Sequence, residues 1–299
     1  MTSVPNPSET RSDVFASTRP LLFAIAYRML GSVTDAEDLV QDAYLRWLEA
    51  PERDVRAPRA YLATIVTRLA INHMQSARTR RETYVGPWLP EPLMTEHAPD
   101  ASEPLELAES LSMAFLMMLE RLSPTERAVL LLHDVFEFDY SEIARIVDKS
   151  EVNCRQLLTR AKKHIGEPRV RFDVDPAQGD RLLHRFIEAT RAGDIDGLVG
   201  VLAEDITLWG DGGGKVTGAA LRPVHGAGSV AKFVVQRARS GASPENTLRP
   251  TRINGQPGFV IYRDGQPLAA LVLDVRDERI HNIYAIANPD KLHALALPA

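Results

Sequence analysis

The chain has 299 residues, 44% hydrophobic and 25% charged, with a formal net charge of -5. That is the composition of an ordinary soluble protein, long enough for two or three domains with separate cores. The polar start, Met1 to Asp13, has no apolar core, and no apolar run approaches the ~20 residues of a membrane-crossing helix, so neither a signal peptide nor a membrane partner is expected. The only cysteine, Cys154, can form neither an internal disulfide nor a zinc site by itself. A reducing cytoplasm is the expected compartment, with no metal and no cofactor.

From Phe15 to about Arg81 the pattern is helical. Phe15, Leu21, Leu22, Ile25, Met29 and Leu30 recur at helical spacing, and Gly31 is a stop. A second helix is expected to start at the capping box Thr34-Asp35-Ala36-Glu37 and to run through Leu39, Val40, Ala43, Tyr44 and Trp47. Six acids (Asp35, Glu37, Asp38, Asp42, Glu49, Glu52) face one base, Arg46, in this stretch. Taken alone, such a charge run is most often a solvated helix face. A third helix opens at Pro58 and buries Leu62, Ile65, Val66 and Leu69. Its other face carries Arg59, Arg68, Asn72, His73, Gln75 and Arg78, followed by Arg80 and Arg81. Arginines and amides without acids suit phosphates and base edges.

Glu82 to Ser110 contains five prolines (Pro87, Pro90, Pro92, Pro99, Pro104) and seven acids, with no Lys or Arg. Proline at that density removes amide donors and forbids a continuous helix, so the stretch reads as a stiff acidic linker. Trp88-Leu89-Pro90-Glu91-Pro92 is an apolar object that a free spacer has no reason to hold, and a partner is expected to grip it.

Leu105 to Leu122 follows as an amphipathic helix. Ser123-Pro124-Thr125-Glu126, a capping box with proline at the first helical position, launches Ala128 to Phe136. Tyr140 to Val147 is a short helix, Asp148-Lys149-Ser150 a turn, and Ser150 caps Glu151 to Ile165. Two short helices joined by a three-residue turn fit a helix-turn-helix. The second carries Asn153, Arg155, Gln156, Arg160, Lys162 and Lys163, with Val152, Leu157, Leu158, Ala161 and Ile165 expected on its packing side.

Beyond a polar hinge at 166–176, helices are expected at Gly179 to Arg191, after Gly193-Asp194, and at Gly228 to Arg239. Strands are expected around 206–209, 247–253, 258–262, 268–275 and 280–287, with a tight turn at Asp264-Gly265. Helices first and then a curled antiparallel sheet make an α+β cone.

These residues together resemble a bacterial sigma factor of the extracytoplasmic-function class. Asp35 to Leu48 resembles the region 2 helix that docks on the β′ clamp helices of RNA polymerase core. Arg59 to Arg81 resembles the part that melts and reads the promoter −10 element, and Ser123 to His164 resembles region 4, which reads the −35 element and sits on the β flap. Three further motifs are similar to a narrower SigJ-like group with a fused SnoaL-like domain: Trp88-Leu89-Pro90-Glu91-Pro92, Asp211-Gly212-Gly213-Gly214-Lys215 and Asn288-Pro289-Asp290-Lys291-Leu292.

The resemblance implies a multidomain chain: two all-α sigma domains (8–81 and 105–166) joined by an acidic linker (82–104) and followed by an α+β SnoaL-like cone (177–299). It implies core polymerase and promoter DNA as partners. Docking falls to Asp35, Glu37, Asp38, Asp42 and Trp47, the −10 contact to Arg59, Arg68, Asn72, His73, Gln75, Arg78, Arg80 and Arg81, and the −35 contact to Asn153, Arg155, Gln156, Arg160, Lys162 and Lys163. The linker is expected to meet the cone through the three motifs, with Lys215 and Lys291 facing Glu91. Asn72 departs from the acid common in relatives, so base preference does not carry over.

The cone admits a small-molecule ligand, and Asp211, His225, His281 and Tyr284 are chemically suited to acid-base work. The expectation is nevertheless no catalytic residue and a built-in regulator. Gly212 to Gly214 lacks the context of a phosphate loop. The alternatives are a ligand-responsive helix-turn-helix regulator and a SnoaL-type enzyme with a DNA-binding region.

Overall fold

The computed structural model describes residues 10–51, 57–82, 84–95, 110–166 and 176–297, with side chains 77–82 and 176 outside the description. The acidic half of the linker (96–109), the first residues of the helix expected from Leu105, the hinge at 167–175 and the side chains of Arg78, Arg80 and Arg81 therefore lie outside it. The chain divides into two compact units, Met1–Arg78 with Leu119–Glu167, and Thr79–Met118 with Pro168–Ala299.

The first unit is all-helical. Helix α1 (Arg11–Leu30) starts at a capping box in which the Thr10 side chain accepts from Asp13 N–H and the Asp13 carboxylate accepts from Thr10 N–H. It ends at Gly31, whose φ of 66° lets its N–H reach the Tyr27 carbonyl. Helix α2 (Val33–Glu49) is capped by Ser32, which accepts from Asp35 N–H at 3.1 Å, and not by Thr34 as expected. Ser32 holds the extended conformation a cap needs, whereas Thr34 is already helical. Helix α3 spans Pro58–Glu82. Leu22, Ile25 and Met29 are buried, as are Leu39, Val40, Ala43, Leu62, Val66 and Ala70.

Helix α4 is short (Met113–Leu119). Helix α5 (Pro124–Leu130) carries the expected Ser123–Glu126 capping box and runs into one π turn, Leu131–Val135. Helix α6 (Tyr140–Val147) ends at Asp148 in the left-handed region, and α7 (Glu151–Ile165) starts at Ser150, which accepts from Asn153 N–H. Arg127, 1% exposed, donates to the Leu119 and Met29 carbonyls and to Glu120, tying α5 to the end of α1. A buried guanidinium is tolerable only with its donors engaged in this way.

The second unit joins the linker and Met113–Met118 of α4 to helices α8 (Pro176–Ala192) and α9 (Ile195–Val201), strands β1 (Leu202–Asp211) and β2 (Val224–His225), helix α10 (Ala227–Ser240), and strands β3 (Asn246–Ile253), β4 (Gln256–Arg263), β5 (Gln266–Arg276) and β6 (Arg279–Ile286). The sheet order is β2-β1-β6-β5-β4-β3. The last four strands form a meander whose turns place Asn254-Gly255, Asp264-Gly265 and Asp277-Glu278 at positive φ, as two-residue hairpins require. The sheet is mixed rather than antiparallel: β1 pairs parallel to β6, Trp209 opposite Tyr284. No hairpin joins these two strands, so their direction is set by packing.

Side chains alternate between two apolar layers. Phe259, Leu273 and Ile283 face α8–α10, meeting Leu183, Phe186, Val230 and Val234. Val260, Tyr262, Val272, Tyr284 and Ile286 face the opposite way and are covered by Leu89, Met113, Leu292 and Leu295. The second face of the sheet is thus closed by linker residues and the C-terminal 3₁₀ turns.

Candidate functional site

Helix α7 buries Cys154, Leu158, Ala161 and Ile165. Arg155, Gln156, Arg160 and Lys163 are exposed, as is Asn153. The Arg155 guanidinium lies over the Tyr140 ring at 4.5 Å from its centroid and pairs with Glu151 at 3.2 Å, so it leans back onto α6. Lys162 pairs with Asp134 at 2.9 Å. Val152, expected on the packing side, is 61% exposed. The burial of Cys154, at the start of the packing stripe, pushes its thiol pKa up, in keeping with a packing role.

On α3, Asn72 and Gln75 are exposed. Arg68 is engaged: its Nε donates to the Ile146 carbonyl at 2.9 Å and Nη2 to the Arg145 carbonyl at 2.8 Å. It thereby satisfies the C-terminal end of α6, where orphan carbonyls and the negative end of the helix dipole favour a cation. Arg59 lies 5.9 Å from the Phe138 ring centroid, and His73 Nε2 is 3.4 Å from Asp35 Oδ2.

On α2, Asp38 and Asp42 are exposed, Asp35 is half-buried, and Glu37 is ion-paired with Arg19. Trp47 does not share that surface. It is 3% exposed, its indole N–H donates to the Arg11 carbonyl, and the Arg11 guanidinium covers its ring while bonding the Trp47, Leu48 and Ala50 carbonyls. Leu45 and Leu48, which sequence reasoning passed over, are 53% and 46% exposed on this acidic helix. A periodic pattern cannot distinguish such leucines from core ones.

The linker motif is held by the second unit. Leu89 is fully buried, its N–H donates to Asp211 Oδ2 at 2.9 Å, and its carbonyl accepts from Lys291 Nζ at 2.5 Å. Lys291 in turn pairs with the same Asp211 oxygen at 2.7 Å, so an ion pair and one linker residue close a ring. Pro87, Pro90 and Pro92 have no N–H to offer, which leaves Leu89 as one of few donors the segment has.

Lys291 Nζ sits 4.1 Å from the Trp88 ring centroid. The Tyr84 hydroxyl donates to Asp211 Oδ1 at 2.5 Å and accepts from Asn288 Nδ2 at 2.8 Å. Burial and the Asp211 carboxylate raise the Tyr84 pKa well above that of a free phenol. Gly213, at φ 57°, is required: a Cβ there would lie 2.4 Å from Asn288 Nδ2. Lys215 pairs with Asp290 and not with Glu91 as expected.

A second hold, not anticipated, comes from the β3–β4 turn. Leu93 N–H donates to Asn254 Oδ1, Asn254 N–H to the Leu93 carbonyl, and Asn254 Nδ2 to the Leu111 carbonyl. Thr95 N–H reaches the Arg252 carbonyl, Met94 bridges to Ile253, and Met113 N–H donates to Gln256 Oε1. The Asn254-Gly255 dipeptide is a hairpin signal, but nothing local reveals that its amide also clasps the linker.

Of the other residues weighed for acid-base work, His225 is exposed on the edge strand, its Nδ1 3.1 Å from Thr207 Oγ1. Tyr284 is buried among the second-face side chains, its pKa raised by desolvation and by Asp274. His281 Nδ1 is 3.9 Å from Asp205.

Two all-helical regions, one ending in a capped helix-turn-helix, followed by an α+β unit, define a class of transcription initiation proteins. The chain matches Sigma-70 region 2 over residues 14–80 and Sigma-70 region 4 over residues 112–165. It is 39% identical to the ECF RNA polymerase sigma factor SigJ of Mycobacterium tuberculosis over 93% of this chain and 91% of that one. It is 32% identical to a probable ECF RNA polymerase sigma factor, SigI, of the same species, over 95% of each. The crystal structure of M. tuberculosis SigJ superposes with a TM-score of 0.73 at 35% identity, covering 94% of this chain and 97% of that one. The chain belongs to the ECF RNA polymerase sigma factors, whose regions 2 and 4 imply core polymerase and promoter DNA as partners. No helix among the described residues is long and apolar enough to cross a membrane.

Proposed function

We propose that α2 docks on the β′ clamp helices through Asp38, Asp42, Leu45 and Leu48, with Asp35 and Glu37 at the rim and Trp47 supporting the helix from beneath. Exposed apolar side chains among acids suit a protein partner that offers an apolar surface ringed by bases. Helix α3 opens and reads the −10 element through Asn72, His73, Gln75 and the arginines at 59, 68, 78, 80 and 81. Helix α7 reads the −35 element, with α5–α7 resting on the β flap.

The α+β unit is a regulator that controls the linker. The observation that carries this is the ring of Leu89, Asp211 and Lys291: resemblance to sigma factors implies that the linker threads a basic channel of the polymerase, and it cannot do so while its backbone is held by a buried ion pair. Release therefore trades one host for another. A non-enzymatic role is supported by the apolar side chains between α8–α10 and the sheet, and by Asp211 being committed to Lys291 and the linker. A small molecule that loosens the α+β unit would act on the same ring.

Run-off transcription with core polymerase tests this. Full-length chain, chain ending after Ala287 and chain ending near Arg169 are compared. Loss of only the residues after 287 removes Asn288 and Lys291 and is expected to raise the yield, whereas loss of the whole unit is expected to lower it, because the family resemblance implies that the unit also supports transcription. Equal yields from the full chain and the Ala287 truncation would defeat the regulatory reading.

A further inference from the structure

Outside the contacts already described, one exposed apolar side chain stands where an apolar group in water has a cost and a DNA-binding protein has a use for it. Val152 is 61% exposed in the first turn of α7, the second helix of the helix-turn-helix. The buried stripe of α7 is Cys154, Leu158, Ala161 and Ile165. Shifting it back by two residues gives Val152, Gln156, Thr159 and Lys163, all exposed, on the opposite side of the helix. This stripe, and not the Arg155 edge, is the outermost line of the helix.

The chemistry along it is specific. Gln156 has the donor and acceptor that pair with adenine in the major groove. The Thr159 hydroxyl donates to the Arg155 carbonyl at 2.9 Å, so it has no proton left for a base edge and offers its methyl and an acceptor oxygen. Arg155 is drawn aside by Tyr140 and Glu151. In the major groove the 5-methyl of thymine is the one apolar feature of a base edge, and the N-terminal residues of a recognition helix are those that reach base edges. We infer that Val152 is a specificity-determining residue of this sigma factor, contacting a thymine methyl in the −35 element next to the base read by Gln156.

This rests on the reading of α7 as the −35 helix, and the test separates the two. Holoenzyme assembled from the full chain and polymerase core selects duplexes from a randomised pool, and each thymine of the selected upstream element is then replaced by deoxyuridine, which removes only the methyl. One replacement is expected to weaken binding by about fourfold, the worth of one buried methyl group. Val152→Ala is expected to bind the thymine duplex about as weakly and to be indifferent to that same replacement. The variant is a better helix former at an exposed position, so folding does not confound it.

If every replacement affects Val152→Ala and the unaltered chain alike, or if the selected element contains no thymine, Val152 does not read DNA. Gln156→Ala and Arg160→Ala report on the underlying assignment. A changed selected sequence in these two with an unchanged Val152→Ala overturns only the inference, whereas unchanged sequences in all three overturn the −35 assignment with it.

Discussion

Lys291 Nζ lies 2.7 Å from Asp211 Oδ2, with the two side chains 7% and 0% exposed, and the backbone of Leu89 bonds to both. Removing one member of a buried pair leaves the other charge stranded, at a cost of about 3–5 kcal/mol. Lys291→Met is therefore expected to destabilise the second unit and open the linker to protease. Adding Asp211→Asn should recover part of the loss, because the stranded charge is then gone. Denaturant unfolding of the single and double variants, with limited proteolysis of the 84–95 segment, checks both steps.

Tyr84 supplies a pH dependence with a definite sign. Its phenol is held protonated by burial and by the hydrogen bond to Asp211, so its folded pKa lies above the ordinary value of about 10. Stability from this group is fully present below that value and is lost as pH rises through the folded pKa. The grip on the linker should thus hold at neutral pH and weaken only in strongly alkaline solution. In an absorbance titration, the phenol that disappears in Tyr84→Phe should be one that ionises later than a free tyrosine. A difference signal centred near the ordinary value would count against the contact.

Arg68 satisfies two carbonyls at the end of α6 through Nε and Nη2, and its remaining N–H groups are what it would offer to DNA. Arg68→Ala is expected to lower the stability of the first unit by about 1.5–3 kcal/mol, the range for hydrogen bonds to a charged group. It should also speed amide exchange at the end of α6 in the free chain. Arg68→Lys should restore only part, because an ammonium does not reproduce a two-pronged donor. Promoter opening by either variant tests the second use of the residue.

Charge reversal on α2 separates docking from folding. Asp38 and Asp42 are exposed, so replacing both by Lys should change unfolding by no more than ~0.5 kcal/mol each while abolishing copurification with core polymerase. Trp47→Ala should behave in the opposite way, costing about 3–5 kcal/mol in stability because it empties a packed site. Normal core binding by the charge-reversed chain would remove the meaning given to the acidic face.

The parts of this protein that its sequence determined by itself are those governed by neighbours within about one turn or one hairpin. The stop at Gly31, the box at Ser123–Glu126, the cap at Ser150 and the turn at Asp264-Gly265 all depend on residues no more than four apart, so local pattern was enough to place them. Even there, choosing between Ser32 and Thr34 as the cap of α2 needed the backbone conformation.

Tertiary structure alone decided who meets whom. Arg68 finds its carbonyls 77 and 78 residues away, Lys291 finds Asp211 across 80 and Leu89 across 202, and Asn254 finds Leu93 across 161. The same chemistry, an exposed-looking arginine or a leucine at helical spacing, serves as a cap, a clamp, a core or a surface depending on what the rest of the chain brings against it. Trp47 is buried and Leu45 is not because Arg11 and α1 cover one side of α2 and leave the other to solvent. Burial is a property of the packed whole, and a periodic pattern carries only the half of it that lies along its own helix.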